Sequence, residues 1–134
     1  MSTFVDTSVW SLALRRDNPQ ASSEVGRLRQ ALRSAEPIFT TGLILQELLQ
    51  GFRGPRARDA IVDRFAALPF LRPERADHIA ASDLRNDCRR RGVQVGTIDA
   101  LLAHLCIRFE LTMLTADGDF ERIADHHSLN VWRP

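Results

Sequence analysis

The chain has 134 residues, 44% of them hydrophobic and 26% charged, and its 18 basic and 17 acidic side chains leave a formal net charge of +1. A chain of that size fits one globular domain, residues 1–134, long enough for a real core but too short for two domains with separate sites. Every basic residue is arginine, which excludes a lysine nucleophile or Schiff base, and near-neutral charge argues against coating nucleic acid by bulk electrostatics.

In chain order, Thr3 to Val5 reads as a buried strand and Val9 to Leu14 as a short helix. Ser22 to Ser34 is an amphipathic helix with Val25, Leu28 and Leu32 as its apolar stripe. Pro37 to Thr40 is a second short strand, and Gly42 to Phe52 an apolar helix stopped by Gly51 and the Gly54-Pro55 pair. Arg56 to Leu68 continues as a helix, and Phe70-Leu71 is a strand candidate. Glu74 to Arg91 is a long helix finished by Arg89, Arg90, Arg91 and then Gly92, cations on the negative dipole end followed by glycine. Thr97 is expected to cap a helix over Ile98 to Phe109. Leu111 to Thr115 is a strand, Asp119 to His126 a helix and Leu129 to Trp132 a final strand. Strands separated by helices imply parallel pairing and an α/β sandwich, with ligands beyond the carboxyl ends of the strands.

Cys88 and Cys106 sit inside helical stretches at no zinc or redox spacing and read as reduced core thiols. The first residues form no basic-then-apolar leader, and no apolar run is long enough for a bilayer. A cytoplasmic protein without membrane attachment is the expectation.

Four carboxylates stand in unusual places. Asp6 follows Phe4-Val5 and Asp117 follows Met113-Leu114-Thr115, each at a strand end, where each is either a helix cap or part of a site. Glu47 interrupts Leu43-Ile44-Leu45-Gln46-Glu47-Leu48-Leu49 and, at about 100° per residue, falls on the apolar arc; an arginine salt bridge or a bound cation would satisfy it there. Asp99, in the first turn of its helix, is either an anion favoured by the dipole or a fourth member of a cluster. Two carboxylates about 4 Å apart repel by about 4 kcal/mol at an effective dielectric near 20. A converging set therefore takes up protons or binds a divalent cation, and an all-oxygen set favours Mg2+ or Mn2+ over zinc. His126-His127 are adjacent and point apart on a helix, and His104 lies well around the helix from Asp99. Arg15-Arg16 and Arg89-Arg90-Arg91 are either solvated helix ends or contacts for RNA phosphates.

The segments Phe4-Val5-Asp6-Thr7-Ser8-Val9-Trp10, Gln46-Glu47-Leu48-Leu49-Gln50-Gly51, Ile98-Asp99-Ala100-Leu101-Leu102-Ala103 and Leu114-Thr115-Ala116-Asp117-Gly118-Asp119-Phe120 occur in this order. Together they resemble the PIN-domain ribonucleases, and among them the small VapC-type toxins of bacterial toxin–antitoxin pairs, over essentially the whole chain. The resemblance implies a PIN-like three-layer α/β/α sandwich with a central parallel sheet. It implies Mg2+- or Mn2+-dependent cleavage of RNA, with Asp6, Glu47, Asp99 and Asp117 as the acidic constellation, Asp6 and Asp99 as direct ligands, and Thr115 as a supporting hydroxyl. Asp119 is either a further supporting acid or the cap of the helix starting at Phe120. The implied partners are a VapB-like antitoxin that carries the DNA-binding arm and a second copy of the chain in a homodimer. A receiver-type phosphoacceptor needs a lysine this chain lacks, and a haloacid-dehalogenase-like phosphatase needs a second aspartate where Ser8 stands. A non-catalytic PIN-like module that binds RNA or protein is the remaining rival.

Overall fold

A strand with no water on either face must have its backbone N–H and C=O groups paired on both edges, and Thr3–Val5 meets that demand. The structure, a computed structural model, describes residues 1–15 and 22–134. Thr3–Val5 is β1, buried throughout. It pairs in parallel with β2 (Ile38–Phe39) and β3 (Thr112–Leu114), and β3 pairs in parallel with β4 (Asn130–Val131), giving the order β2-β1-β3-β4. Parallel neighbours need crossovers, and helices supply them. They are α1 (Thr7–Leu14) and α2 (Ser23–Arg33) before β2, α3 (Gly42–Gly51), α4 (Pro55–Ala66), α5 (Arg75–Arg90) and α6 (Thr97–Arg108) before β3, and α7 (Asp119–Ala124) before β4. Helix α1 packs on α2 and α3, and α3 on α4, whereas α5 pairs with α6 and α6 meets α7. The architecture is the expected α/β/α sandwich with a parallel sheet.

Trp10 is fully buried, with its ring 5.0 Å from that of Phe65. Phe4, Leu48, Leu105 and Met113 complete the same core, and each such side chain contributes about 1.5–3 kcal/mol by leaving water. Cys88 and Cys106 are free and buried in it. Among the described residues no helix is long and apolar enough to cross a membrane.

Several boundaries differ from the sequence reading. Helix α1 starts at Thr7 and not Val9, because the Asp6 carbonyl already accepts from Val9 N and Trp10 N at 3.1 and 3.3 Å. In α2 the third buried position is Ala31, with Leu32 only partly covered. Phe70 makes an isolated bridge to Thr40 and no strand. The cap of α6 is Gly96, and Thr97 is already helical. Helix α5 ends as its arginines and glycine imply, with Gly92 at φ +78°.

The pairing of α5 with α6 has a polar pin. Asp77, in the first turn of α5, is only 2% exposed. Its carboxylate accepts from Glu74 N at 2.8 Å and Arg108 Nη1 at 2.7 Å, and His104 Nε2 lies 2.8 Å from its other oxygen. One side chain thus closes the start of α5 and holds the far end of α6. The Glu74 N–H, then His104 and Arg108, pull the Asp77 carboxyl from 3.8 to about 2 against the opposing effect of burial. Asp77→Asn is expected to cost about 2 kcal/mol of stability in urea unfolding at pH 7, since it removes charge-assisted bonds from a buried site. Because the folded carboxyl sits below its unfolded value, its contribution is complete above about pH 4 and fades as pH falls towards 2. The gap between wild type and variant should narrow over that interval.

Candidate functional site

In the β1–β3 register Val5 lies opposite Leu114, so Asp6 and Thr115 leave the sheet side by side where the chain order reverses. That switch point is where α/β sheets form crevices. Asp6 N donates to Leu114 O at 2.9 Å. The Asp6 side chain, 7% exposed, makes no cap bond to α1. Instead its Oδ2 accepts from Ser8 Oγ at 2.7 Å and Thr115 Oγ1 at 2.9 Å. Asp6 thus holds the N-cap position of α1 through its backbone alone, and its side chain is committed to the sheet edge.

The same hydroxyls arrange the loop after β3. Ser8 Oγ accepts from Ala116 N, Thr115 Oγ1 from Asp117 N, and Asp117 Oδ1 from Asp119 N, each at 3.0 Å. Asp119 is the first residue of α7, whose cap is Gly118 and not Asp119. Ser8 was missing from the sequence-derived set, although Asp6-Thr7-Ser8 directly after a strand places a hydroxyl within reach of the carboxylate.

Glu47 needs a correction. It is exposed on α3, not buried on an apolar arc, and its Oε1 accepts from Thr7 Oγ1 at 3.2 Å in place of an arginine. Only Ile44 and Leu48 of that helix are fully buried, and the turn facing Thr7 opens to water. Asp99 stands in the first turn of α6, partly buried, and a Cβ at Gly96 would sit 3.9 Å from its Oδ2. Burial, and then the negative charges of Asp6, Asp117, Glu47 and Asp119, raise its carboxyl from 3.8 to about 6. Cys106 lies deeper, its thiol pushed up by burial and by Asp6. The structure thus brings Asp6, Asp117, Glu47 and Asp119 within electrostatic reach of Asp99. Among the described residues, no three acid, histidine or cysteine side chains are close enough to form a ready-made cation cage.

The histidines belong elsewhere. His104 serves Asp77, while His127 Nε2 lies 2.9 Å from Asp87, which also binds Arg91 Nε at 3.0 Å and Arg90 Nη2 at 3.5 Å. Arg16 lies outside the described residues. The donors around the crevice are hard oxygens, the set that suits a small divalent cation. Their like charges in a half-buried place give such a cation an electrostatic reason to bind.

A family model described as PIN domain matches residues 3–126. Among solved structures, VapBC2 from Rickettsia felis, bound to a DNA fragment from its promoter, aligns with a TM-score of 0.75 at 19% identity over 98% of both chains. FitAcB from Neisseria gonorrhoeae aligns at 0.69 and 21% identity, over 98% of this chain and 97% of that one. VapC20 from Mycobacterium tuberculosis, described as a sarcin-ricin loop cleaving toxin, aligns at 0.67 and 20% identity, over 90% and 93%. At these identities the likeness is one of fold. No curated protein matches the chain.

The crowding at Asp99 has a measurable consequence. Folding the ionised carboxyl into the company of four others is unfavourable, so Asp99→Asn is expected to stabilise the protein by about 1 kcal/mol in urea unfolding at pH 7 with EDTA present. A destabilised variant would show that the acids do not repel at this site.

Proposed function

The chain belongs to the PIN-domain family, and from that premise we propose that residues 1–134 form one PIN domain acting as a Mg2+- or Mn2+-dependent endoribonuclease, the toxin of a toxin–antitoxin pair. The observation that carries this reading is the Asp6 carboxylate held by Ser8 and Thr115 at the switch point of the sheet, with Asp117 tied to Thr115 and with Asp99, Glu47 and Asp119 near enough for their charges to be felt. Asp6, Asp99, Glu47 and Asp117 are the residues that would hold the cation. When bound, it would neutralise their charge, polarise a phosphodiester and make water more acidic.

The chain's own contributions follow from the hydrogen bonds. Ser8 and Thr115 fix Asp6 through Oδ2, which removes rotamer freedom before any ligand arrives and leaves Oδ1 without a protein donor among the described residues. Thr115 also orders Asp117 through its backbone N–H. Glu47, exposed and steadied by Thr7, would orient water or accept a proton. Asp119 extends the negative rim.

The partners we infer are RNA as substrate, a VapB-like antitoxin carrying the DNA-binding arm, and a second copy of the chain. A cleft of about 570 Å³ lined by Leu14, Phe52, Ala57 and Ile61, with Asp63 and Arg64 also in its wall, offers a seat for an antitoxin segment. On α5, Ile79 is 58% exposed and offers an apolar contact for self-association. A cytoplasmic location agrees with an RNA substrate. The wide spacing of the acids favours a second reading, a PIN-like module that binds RNA or protein without cutting.

One experiment separates the two. Purified protein incubated with a mixed RNA pool should cleave with Mg2+ or Mn2+ and stop in EDTA. Asp6→Asn and Asp99→Asn should each lower the rate by about 10²-fold or more. Cleavage that survives both substitutions and chelation overturns the proposal, and tight RNA binding without any cleavage favours the binding module. Thr115→Val, which takes away one of the two donors to Asp6 and the acceptor for Asp117 N, is expected to lower the rate by about tenfold and the melting temperature by a few degrees, since one hydrogen bond to a charged group is worth about 1.5–3 kcal/mol.

A further inference from the structure

The three consecutive arginines at the end of α5 do not share one role. Arg90 and Arg91 are matched to Asp87 at 3.5 and 3.0 Å. Arg89 donates only to the neutral Asn86 Oδ1 at 2.9 Å. One turn earlier, Arg85 donates through Nε to the Val95 carbonyl at 2.8 Å. Neither Arg85 nor Arg89 has an ion pair among the described residues. Together with Gln94, Val95, Gly96 and Asp119 they line a cleft of about 520 Å³, within the range of about 300–1,000 Å³ common for small-ligand sites.

Two of these lining residues also border the acidic crevice. Gly96 caps the helix that carries Asp99, and Asp119 is one of the acids acting on it. The cleft and the crevice therefore share a wall. Arg85 is held by its Nε, so the ends of its guanidinium fork are preset without being used by a protein acceptor among the described residues. A planar fork of that kind binds a phosphate through parallel N–H bonds.

Resting on the nuclease reading above, we propose that the cleft of Arg85, Arg89 and Gln94 is a phosphodiester subsite that seats the RNA backbone beside the carboxylate centre. The subsite resolves a conflict in that centre. The carboxylates around Asp99 repel a polyanion, and two arginines without an ion pair among the described residues, set against the single carboxylate of Asp119 in their cleft, give the strand a favourable place to approach from. Since the contact is to phosphate, it confers position and not sequence preference. An acidic protein segment is the competing occupant. The shared wall favours RNA, because a backbone lying there continues directly into the crevice.

The test measures binding of a fluorescein-labelled single-stranded RNA dodecamer by anisotropy, in EDTA, over a range of salt concentrations. Arg89→Gln should weaken binding by about tenfold and reduce the slope of log K against log salt by about 0.7, the value for one lost phosphate contact on a single strand. Arg90→Gln removes the same charge one residue away, outside the cleft, and should leave both quantities within about twofold of wild type. In Mg2+, Arg89→Gln should raise KM for RNA cleavage by a similar factor with kcat retained, a split that a merely structural role would not produce. Equal losses for Arg89→Gln and Arg90→Gln, or none for either, overturn the subsite while leaving the nuclease standing. Unchanged RNA affinity with lost binding of a polyglutamate peptide assigns the cleft to protein and overturns it too. A wild type that binds no RNA at any salt overturns both the subsite and the reading beneath it.

Discussion

The register of β1 against β3, with Phe4 opposite Met113 and Val5 opposite Leu114, brings two chain reversals together at one point of the sheet. These strands are buried on both faces, so a slip in their pairing would strand large apolar side chains and unsatisfied backbone groups together. The register is therefore held by the core itself, at about 1.5–3 kcal/mol for each buried side chain. Its polar consequence is the short bond from Thr115 Oγ1 to Asp6 Oδ2, between residues 109 positions apart in sequence. The loop after β3 inherits its shape from that bond and from Ser8.

The crevice is a place where local and collective electrostatics disagree. Asp99 occupies the first turn of α6, where the helix end favours an anion by about 0.3–1 kcal/mol. Its carboxyl nevertheless rises to about 6, so burial and the neighbouring acids outweigh the helix end. Asp77 occupies the equivalent turn of α5 and goes the other way, to about 2. The two aspartates have similar local sequence roles. What separates them is surroundings: the Glu74 N–H and then His104 and Arg108 for one, and burial and then four carboxylates for the other.

That contrast also shows what the sequence made legible. The alternation of short apolar runs with helical stripes was enough to give the strand positions and the sandwich, and the strand-end placement of Asp6 and Asp117 singled them out. Periodicity misjudged Glu47 because it assumes that an apolar arc is covered along its whole length, whereas α3 covers only the part bearing Ile44 and Leu48. Asp77 gives no local signal in the sequence, since its partners His104 and Arg108 lie on a different helix, 27 and 31 residues away. The run Arg89-Arg90-Arg91 looked uniform because nothing in three identical letters tells which of them meets Asp87. Local pattern reaches as far as the element, and partner choice is decided by the packing of elements.

The outer strands of the sheet, Ile38–Phe39 and Asn130–Val131, are only two residues long. An open edge of greater length would offer another chain a row of unpaired backbone groups on which to extend the sheet. Here the template stops almost as soon as it starts, and Thr40 is already bridged to Phe70 just beyond β2. The brevity of these strands protects a protein with a strongly apolar centre against edge-to-edge aggregation while it accumulates in a crowded solution.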